Sequence, residues 1–421
     1  MMTSAEEKRN AYFNANPLVY EQYQEIKKEN EEKTESFERK LNDIKSYVIE
    51  HCSFYSGFSI DDIFPVLNKR DFIKNHDMIK SSEHFSESLH ISSTSGSTGI
   101  PFSVEQDSRK RARTIADLKV FGEYAGFKSH EKMLQLRAYN GRKLDRSIDE
   151  KENIWRYDIT NLSSDSFQDL ISFIREYEPV VIFGYTSTME SISEYCISKH
   201  ISLKGCCKSI LVGAEMLSEE IAEKIHAVFE CPIFDRYSNM EMGIYAQREY
   251  GQTAFRLNKS SYYFEFLSLN DDSPVKPGEV GRIVVTDLYN HAFPMIRYDT
   301  GDLGVYGYDE DGNRVLVEVY GRRVDAIYDS NGSMINPHVI SVKMWGIANV
   351  SQWQFIQKNE CYLIKILPST SGKVDEEELL SRMKQVLGEN VDIRIEYVKS
   401  IPVVTNSQKR KYIINEVSNN G

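Results

Sequence analysis

The alternation of apolar and helical segments between residues 165 and 237 constrains the fold more than any other feature of this sequence. The runs that are typical of buried strands are 179–185, 209–214 and 232–237. Segments with apolar residues three and four apart, typical of helices, are 167–174, 189–196 and 221–228. Apolar strands that alternate with helices predict a mostly parallel sheet covered on both faces. Ligands of such sheets bind at the carboxyl ends of the strands, so the loops that follow these strands are the first candidates for a site.

The pattern changes after residue 260. Residues 262–269 and 281–288 alternate or run apolar with turn residues between them, which predicts antiparallel strands. The last hundred residues carry short strand patterns and a helix at 376–387, which predicts a small α+β module. We therefore predict an α/β protein with two domains, a large one over 1–320 and a small one over 321–421.

Composition limits the classes of function. The chain has 421 residues, of which 41% are hydrophobic and 27% charged, as in ordinary globular proteins. Its formal net charge of −12 argues against nucleic acid as a partner. Neither a membrane-spanning run nor the apolar core of a signal peptide is present. The six cysteines are scattered without a C-x-x-C pair, which argues against structural zinc and favours reduced thiols in a cytoplasmic protein.

A loop of six small residues stands out after a short apolar strand at 90–93. Its residues are Thr94, Ser95, Gly96, Ser97, Thr98 and Gly99. They bury no apolar area, but they offer closely spaced backbone N–H groups and hydroxyls, which together can cradle a phosphate. The alternative is a plain Ser/Thr-rich surface loop. The segment lacks the lysine of the G-x-x-x-x-G-K-[ST] motif, so positive charge must come from elsewhere.

Two further motifs follow predicted buried strands. They are Gly213-Ala214-Glu215 and Tyr237-Ser238-Asn239-Met240-Glu241. Both are expected at the carboxyl edge of the sheet. A carboxylate beside a phosphate cradle suits Mg²⁺, which takes one or two carboxylates plus phosphate oxygens. The alternative for Glu241 is a carboxylate at the start of a helix, where the dipole favours it.

Charged residues recur at three more places. Asp302 closes the run Arg297-Tyr-Asp-Thr-Gly and would accept hydrogen bonds from two vicinal hydroxyls such as those of a ribose, or it is a plain turn residue. Arg322 lies at the predicted domain junction and would hold a phosphate or ribose, or occupy a surface turn. The basic residues at 109–113 begin a helix capped by Asp107 or Ser108. We expect them to form a solvated face, with contact to an anionic ligand as the alternative.

Together and in this order, the motifs resemble those of the adenylate-forming (AMP-binding) ligase superfamily. The match runs from the small-residue loop through Gly-Ala-Glu, Tyr-x-x-x-Glu, Tyr-x-Thr-Gly-Asp and Gly-Arg-x-x-Asp to a lysine loop near the C-terminus. Residues 277–286 and 293–298 are especially similar to phenylacetate–CoA ligase and the related capsule-biosynthesis ligases. The resemblance covers nearly the whole chain.

The resemblance implies a two-step reaction that uses ATP, Mg²⁺ and, in many relatives, coenzyme A. A carboxylic acid attacks the α-phosphate of ATP, and a thiol, amine or hydroxyl acceptor, such as coenzyme A or a sugar, then displaces AMP. It also implies a mobile C-terminal lid domain with Asp325 as the candidate hinge. A homodimer is compatible with the sequence.

The resemblance also implies a role for each motif. Residues 94–99 would hold the β- and γ-phosphates, Gly213 to Glu215 would line the adenine, and Tyr237 would stack on it. Glu241 would bind Mg²⁺, Asp302 the ribose hydroxyls and Arg322 the ribose or α-phosphate. Lys409 would bridge the carboxylate and the α-phosphate, with Lys411 as a rival.

The sequence departs from the family pattern in the same motifs. No basic residue follows the last glycine of the phosphate loop, Gln408 replaces the glycine before the lid lysine, and Ser238 and Met240 replace the usual Gly and Ser or Thr. Two other functions therefore stay open. One is acyl-protein synthesis with Cys361 as the acceptor, and the other is a nucleotide-binding module with little turnover.

Overall fold

The apolar segments between 179 and 237 form the centre of a seven-stranded sheet in the computed structural model. The structure describes residues 4–32, 37–84, 88–94, 102–139, 143–160, 164–322, 327–335, 337–344, 346–369, 372–401, 403–404, 409–410 and 412–417. The chain divides into a first unit of Met1–Ala214 and Lys224–Val319 and a second unit of Glu215–Glu223 and Tyr320–Gly421. The predicted α/β fold class is confirmed.

The elements up to residue 322 include the helices and strands predicted between 165 and 237. The helices are α1 (Ala5–Ala15), α2 (Pro17–Glu32), α3 (Phe37–His51), α4 (Lys69–Lys74), α5 (His76–Ile79), α6 (Ser108–Tyr124), α7 (Arg146–Glu152), α8 (Ser164–Tyr177), α9 (Thr186–Ser198) and α10 (Glu219–Phe229). The strands are β1 (His90–Thr94), β2 (Phe102–Gln106), β3 (Met133–Arg137), β4 (Ile154–Asp158), β5 (Val181–Tyr185), β6 (Ser209–Gly213), β7 (Ile233–Asn239), β8 (Gly243–Glu249), β9 (Arg256–Leu257), β10 (Tyr262–Leu267), β11 (Val280–Asp287), β12 (Tyr298–Tyr308) and β13 (Arg314–Arg322).

The large sheet has the strand order β4-β3-β5-β6-β7-β8-β9. The five strands from β4 to β7 are parallel, whereas β8 and β9 add antiparallel strands at one edge. On one face of this sheet Val181, Leu211 and Phe234 pack against Ala125 and Phe127, which follow α6. We call this face the α6 side. The predicted parallel sheet is therefore confirmed, and its carboxyl edge is set by the ends of β3, β5, β6 and β7.

An antiparallel sheet of β10, β11, β12 and β13 follows, as the alternation after residue 260 predicted. Its apolar side contributes Phe264, Val285 and Tyr298 to a core that also contains Phe102 of β2 and Val48 of α3. Strand β2 pairs in antiparallel register with β1, which leads into the small-residue loop. This core therefore anchors the strand before that loop.

The basic start of α6 differs from our expectation. Asp107 is the N-cap, with a side-chain oxygen 2.8 Å from the Lys110 amide nitrogen, but Lys110 and Arg113 are fully buried rather than solvated. The Arg113 guanidinium lies 4.0 Å from the centre of the Tyr289 ring. The spacing of Ile115, Leu118 and Phe121 predicts that all three face inward, but Leu118 is 46% exposed. The basic residues are buried because ion-pair partners from distant segments meet α6 where solvent was expected.

The second unit contains a four-stranded sheet in the order β18-β17-β16-β21. Its strands and helices are β14 (Ile327–Tyr328), β15 (Met334–Ile335), α11 (Pro337–Met344), β16 (Val350–Gln357), β17 (Tyr362–Pro368), α12 (Glu376–Leu387), β18 (Ile393–Tyr397), β19 (Val403–Val404), β20 (Lys409–Arg410) and β21 (Ile413–Asn415). Leu379, Met383 and Leu387 of α12 pack with Phe355 and Ile364 in its core. The predicted α+β module and the bounds of its helix at 376–387 are confirmed.

Two general expectations can be compared with the structure. Among the helices that the structure describes, none is long and apolar enough to cross a membrane. All six cysteines are free, and Cys361 is buried.

Candidate active site

The carboxyl end of β6 carries the Gly-Ala-Glu motif. A Cβ atom on Gly213 would lie 3.0 Å from the carbonyl oxygen of Arg236 on β7, so any larger residue would have to shift the neighbouring strand. The next residue, Ala214, has φ +69°, a left-handed conformation that is uncommon for a residue other than glycine. The chain therefore turns sharply at the sheet edge, which exposes its backbone where a ligand of a parallel sheet binds.

The second motif forms the end of β7 and the turn into β8. The Oδ1 atom of Asn239 accepts a hydrogen bond from the Met242 amide at 2.9 Å, and its Nδ2 donates to the Tyr245 hydroxyl at 2.8 Å. The Tyr262 hydroxyl donates to the Met242 carbonyl oxygen from below. Gly243, at φ +123°, completes the turn. No helix begins at Glu241, so the helix-start interpretation of this carboxylate is wrong.

Glu241 lies at the tip of this turn and is only 6% exposed. No described residue forms a hydrogen bond or ion pair with its carboxylate. Burial of Tyr245, with nearby Tyr237 and Glu241 among the smaller causes, raises the pKa of the Tyr245 phenol well above its usual value. A buried carboxylate normally has a hydrogen-bond donor or a cation beside it. Because no described residue neutralises it, the Glu241 carboxylate can bind a positively charged group from solution.

Two other predicted segments meet this turn. The Tyr237 hydroxyl donates a hydrogen bond to Oδ2 of Asp302 at 2.8 Å. The Ser92 hydroxyl of β1, two residues before the small-residue loop, donates to the Met240 carbonyl oxygen. Asp302 lies within β12 rather than in a turn, contrary to the alternative interpretation. The structure thus brings together the start of the loop, the Tyr-x-x-x-Glu motif and Asp302.

Several predicted site residues cannot be placed with their side chains. Ser95 to Gly99, Lys411 and Asp325 lie outside the described residues. For Thr94, Arg322 and Lys409 only the backbone is described. Arg322 ends β13, and Lys409 pairs with Val404 in the two-stranded β19–β20 sheet. Their predicted roles stay predictions.

Sequence reasoning missed the buried group beneath the turn. The Nζ atom of Lys110 lies 2.7 Å from Asp287 Oδ2 and donates to the Tyr262 hydroxyl at 3.0 Å. A signal existed in the spacing, because Lys110, Arg113 and Asp117 occur at i, i+3 and i+7, on one face of a helix. This face of α6 is buried because its ion-pair partners, Asp287 and Glu25, come from distant parts of the chain.

Within the described residues no group of three His, Cys, Asp or Glu side chains is arranged to hold a metal ion. Magnesium bound through a single carboxylate and phosphate oxygens does not require such a group, because Mg²⁺ keeps several waters and substrate oxygens as ligands. The buried and unpartnered Glu241 carboxylate fits that kind of site.

Comparison with solved structures identifies the fold. A 2-hydroxyisobutyryl-CoA ligase in the postadenylation state, in complex with R3-HIB-AMP, is 18% identical, with a TM-score of 0.73 over 90% of this chain and 89% of that chain. ATP-bound MatB from Rhodopseudomonas palustris is 16% identical, with a TM-score of 0.54 over 75% of this chain and 65% of that chain. The chain therefore has the fold of the adenylate-forming ligases.

Sequence comparison identifies a matching domain family and a relative that spans nearly the whole chain. Residues 327–416 match the CapK C-terminal domain. Over 431 residues the chain is 23% identical to Protein CapK of Staphylococcus aureus. The matched region covers 94% of this chain and 92% of that protein. The predicted resemblance to the adenylate-forming ligases is confirmed, and within them the chain is similar to CapK.

Proposed function

We propose that this protein activates a carboxylic acid with ATP and transfers the acyl group to a second nucleophile. The observation that carries this proposal is Glu241, which is 6% exposed and has no partner among the described residues. It follows shortly after Tyr237, whose hydroxyl is hydrogen-bonded to Asp302. These groups converge where the strand before the phosphate loop also ends. Residues 1–320 would bind ATP and the acid, and residues 321–421 would serve as the lid domain.

The nucleotide would be held by groups at the sheet edge. Residues 94–99 would donate backbone and hydroxyl hydrogen bonds to the β- and γ-phosphates. Gly213 to Glu215 would line the adenine, and the Tyr237 ring would stack on it. Its hydrogen bond to Asp302 fixes this ring beside the carboxylate that would accept the ribose hydroxyls.

The first step joins two anions. An oxygen of the acid attacks the α-phosphorus of ATP, the bond between the α- and β-phosphates breaks, and pyrophosphate leaves. Glu241 would hold Mg²⁺, which supplies positive charge to the phosphate oxygens. Arg322 and Lys409 would supply further cations, and Lys409 would act on the carboxylate and α-phosphate where negative charge accumulates.

The second step transfers the acyl group. The acceptor attacks the acyl carbon, and AMP leaves with the bonding electrons. The acceptor would be a thiol such as coenzyme A, because a solved relative of this fold is a CoA ligase. An amine or hydroxyl of a sugar is the other acceptor, motivated by the similarity to CapK. Mass spectrometry of the products formed with each acceptor distinguishes them. Cys361 is buried, which does not favour an acyl-cysteine intermediate.

Acid-dependent exchange of pyrophosphate into ATP tests the proposed function. Wild-type protein should catalyse exchange with at least one member of a broad acid panel. Glu241→Gln should lower that exchange by about 100-fold, because it removes the carboxylate charge that holds the cation. Glu249→Gln, a partly exposed glutamate at the far end of β8, is the matched control and should change exchange less than about twofold. Folded protein that binds ATP without exchange for any acid would instead indicate a nucleotide-binding module.

A second pair of variants separates the two candidate lid lysines. Lys409→Ala should reduce exchange by about 100- to 1000-fold if Lys409 stabilises the charge that develops in the first step. Lys411→Ala should then retain most of the exchange. The reverse result would assign the role to Lys411 and leave the overall reaction standing.

A further inference from the structure

One row of residues crosses the carboxyl end of the large sheet on its α6 side. In the strand register, Tyr185 pairs with Gly213, and Gly213 pairs with Arg236. Gln135 pairs with Phe183, so Arg137, two residues after Gln135, lies level with Tyr185. Side chains two residues apart on a strand share a face. Arg137, Tyr185, Gly213 and Arg236 therefore form one row, which we call the arginine row.

The two arginines of this row lie against the same aromatic ring. The guanidinium carbon of Arg137 is 5.4 Å from the centre of the Phe183 ring, and that of Arg236 is 5.7 Å away. Gly213, next to Arg236 in the row, has no side chain and packs closely against the Arg236 backbone. The two cations thus lie close together at the edge where ligands of parallel sheets bind.

Nothing in the described protein neutralises these charges. The Nε and Nη2 atoms of Arg236 both donate to the neutral Oε1 atom of Gln247, at 3.0 and 2.8 Å. Arg236 is 6% exposed, and no carboxylate of the described residues forms an ion pair with it or with Arg137. Burial and the nearby Arg137 lower the pKa of Arg236 to about 9, which still leaves it protonated at neutral pH.

This arrangement is unusual because buried charges are normally paired. The other arginines buried in the first unit follow that rule: Arg113 pairs with Glu25, and Arg282 pairs with Asp299. Gln135, Arg137, Phe183 and Tyr185 on the same face are only partly buried, so this part of the sheet edge is in contact with solvent. An anion from solution could therefore pair with the two cations.

Gly213 belongs both to the arginine row and to the motif proposed to line the adenine, so the row meets the proposed nucleotide site at the carboxyl edge of the sheet. We propose that the carboxylic acid activated by this protein carries a second anionic group, which Arg137 and Arg236 bind. The proposal rests on the proposed function and names the substrate class for the same site. Two guanidinium forks suit a carboxylate or a phosphate, both of which accept paired hydrogen bonds.

Matched pairs of acids test this inference in the exchange assay. Succinate is compared with butyrate and glutarate with valerate, and 3-phosphoglycerate represents an acid whose second anion is a phosphate. Wild-type protein should favour the dianionic member of a pair by at least about tenfold in kcat/KM, as expected for charge-assisted hydrogen bonds. The preferred member among succinate, glutarate and 3-phosphoglycerate tells a second carboxylate from a phosphate.

Substitutions at Arg137 then connect the preference to the row. Arg137→Gln should bring the ratio between paired acids close to one, and Arg137→Lys, which keeps the charge without the fork, should give an intermediate ratio. Arg256→Gln is the matched control, because Arg256 also stacks on a ring, at 4.7 Å from the centre of Tyr124, but is exposed on β9. It should keep the wild-type ratio.

A binding measurement separates failure of this inference from failure of the proposed function. Without ATP, succinate or 3-phosphoglycerate should raise the Tm of the wild-type protein and not that of Arg137→Gln. Equal or better exchange with butyrate and valerate would overturn the inference and leave acid activation standing. Absence of exchange for every acid, with dianion binding that depends on Arg137, would overturn the proposed function and support the anion site. A wild-type protein that neither binds dianions nor prefers them as substrates would also overturn the inference.

Discussion

The buried pair of Lys110 and Asp287 yields the sharpest prediction about stability. Their side chains are 0% and 1% exposed, with Nζ and Oδ2 2.7 Å apart. At an effective dielectric constant of about 20 the attraction at this distance is roughly 6 kcal/mol before desolvation. Lys110→Met removes the cation and leaves a buried carboxylate whose other oxygen accepts backbone hydrogen bonds from Tyr289 and Asn290. We expect the free energy of unfolding to fall by about 3–5 kcal/mol.

A double-mutant cycle isolates the interaction. Asp287→Asn keeps the oxygen that accepts the backbone hydrogen bonds, so the double variant replaces the ion pair with two neutral groups. It should be more stable than the sum of the two single changes predicts, by at least about 2 kcal/mol. Arg111→Met, an exposed residue of the same helix, is the matched control and should change stability by less than about 0.5 kcal/mol.

Urea unfolding measured by Trp155 fluorescence reports on the first unit, in a background where Trp345 and Trp353 are replaced by Phe. Trp155 is the only one of the three tryptophans in that unit. Single changes that add within about 0.5 kcal/mol would refute the reasoning, because they would mean that the buried pair is not coupled.

Two further predictions concern pH. Burial, assisted by Lys119, lowers the pKa of His130 to about 4, so between pH 6.5 and 4 the unfolded chain binds a proton that the folded protein does not. The free energy of unfolding should therefore fall by up to about 3 kcal/mol across that window. In His130→Asn, where asparagine tolerates the φ of +69°, the urea midpoint measured from pH 7.5 to 4 should decline less steeply. An acid slope equal to that of the wild type would contradict this. Burial also lowers the pKa of Lys119 to about 8, so stability should rise between pH 8 and 10.5, where only the unfolded chain keeps the proton. Lys119→Met should therefore stabilise the protein by about 1–3 kcal/mol at pH 7 and by less at pH 10.5. A lower Tm at pH 7 would refute this expectation and would mean that the contact between Nζ and the Tyr12 ring, at 4.1 Å, contributes more than burial of the charge costs.

The local pattern was enough to predict much of the fold. Helix α12 spans Glu376–Leu387 as its apolar spacing indicated, and β5, β6 and β7 are parallel as expected of apolar segments that alternate with helices. These features depend on periodicity and on residues close in sequence, which a single chain displays directly. The order of the site motifs along the chain likewise predicted the resemblance to the adenylate-forming ligases.

The tertiary structure decided which charged residues are buried and which of them meet. Lys110 and Arg113 looked like a solvated face, because Asp287, Glu25 and Tyr289 lie far away in sequence. Strand register likewise set Arg137 and Arg236 in one row, although they lie far apart in the sequence. Burial and charge pairing are sums over neighbours in space, and sequence periodicity reports only which side of an element a residue occupies. The sequence determined the elements and the motif set, whereas packing determined how the charges of the site are arranged.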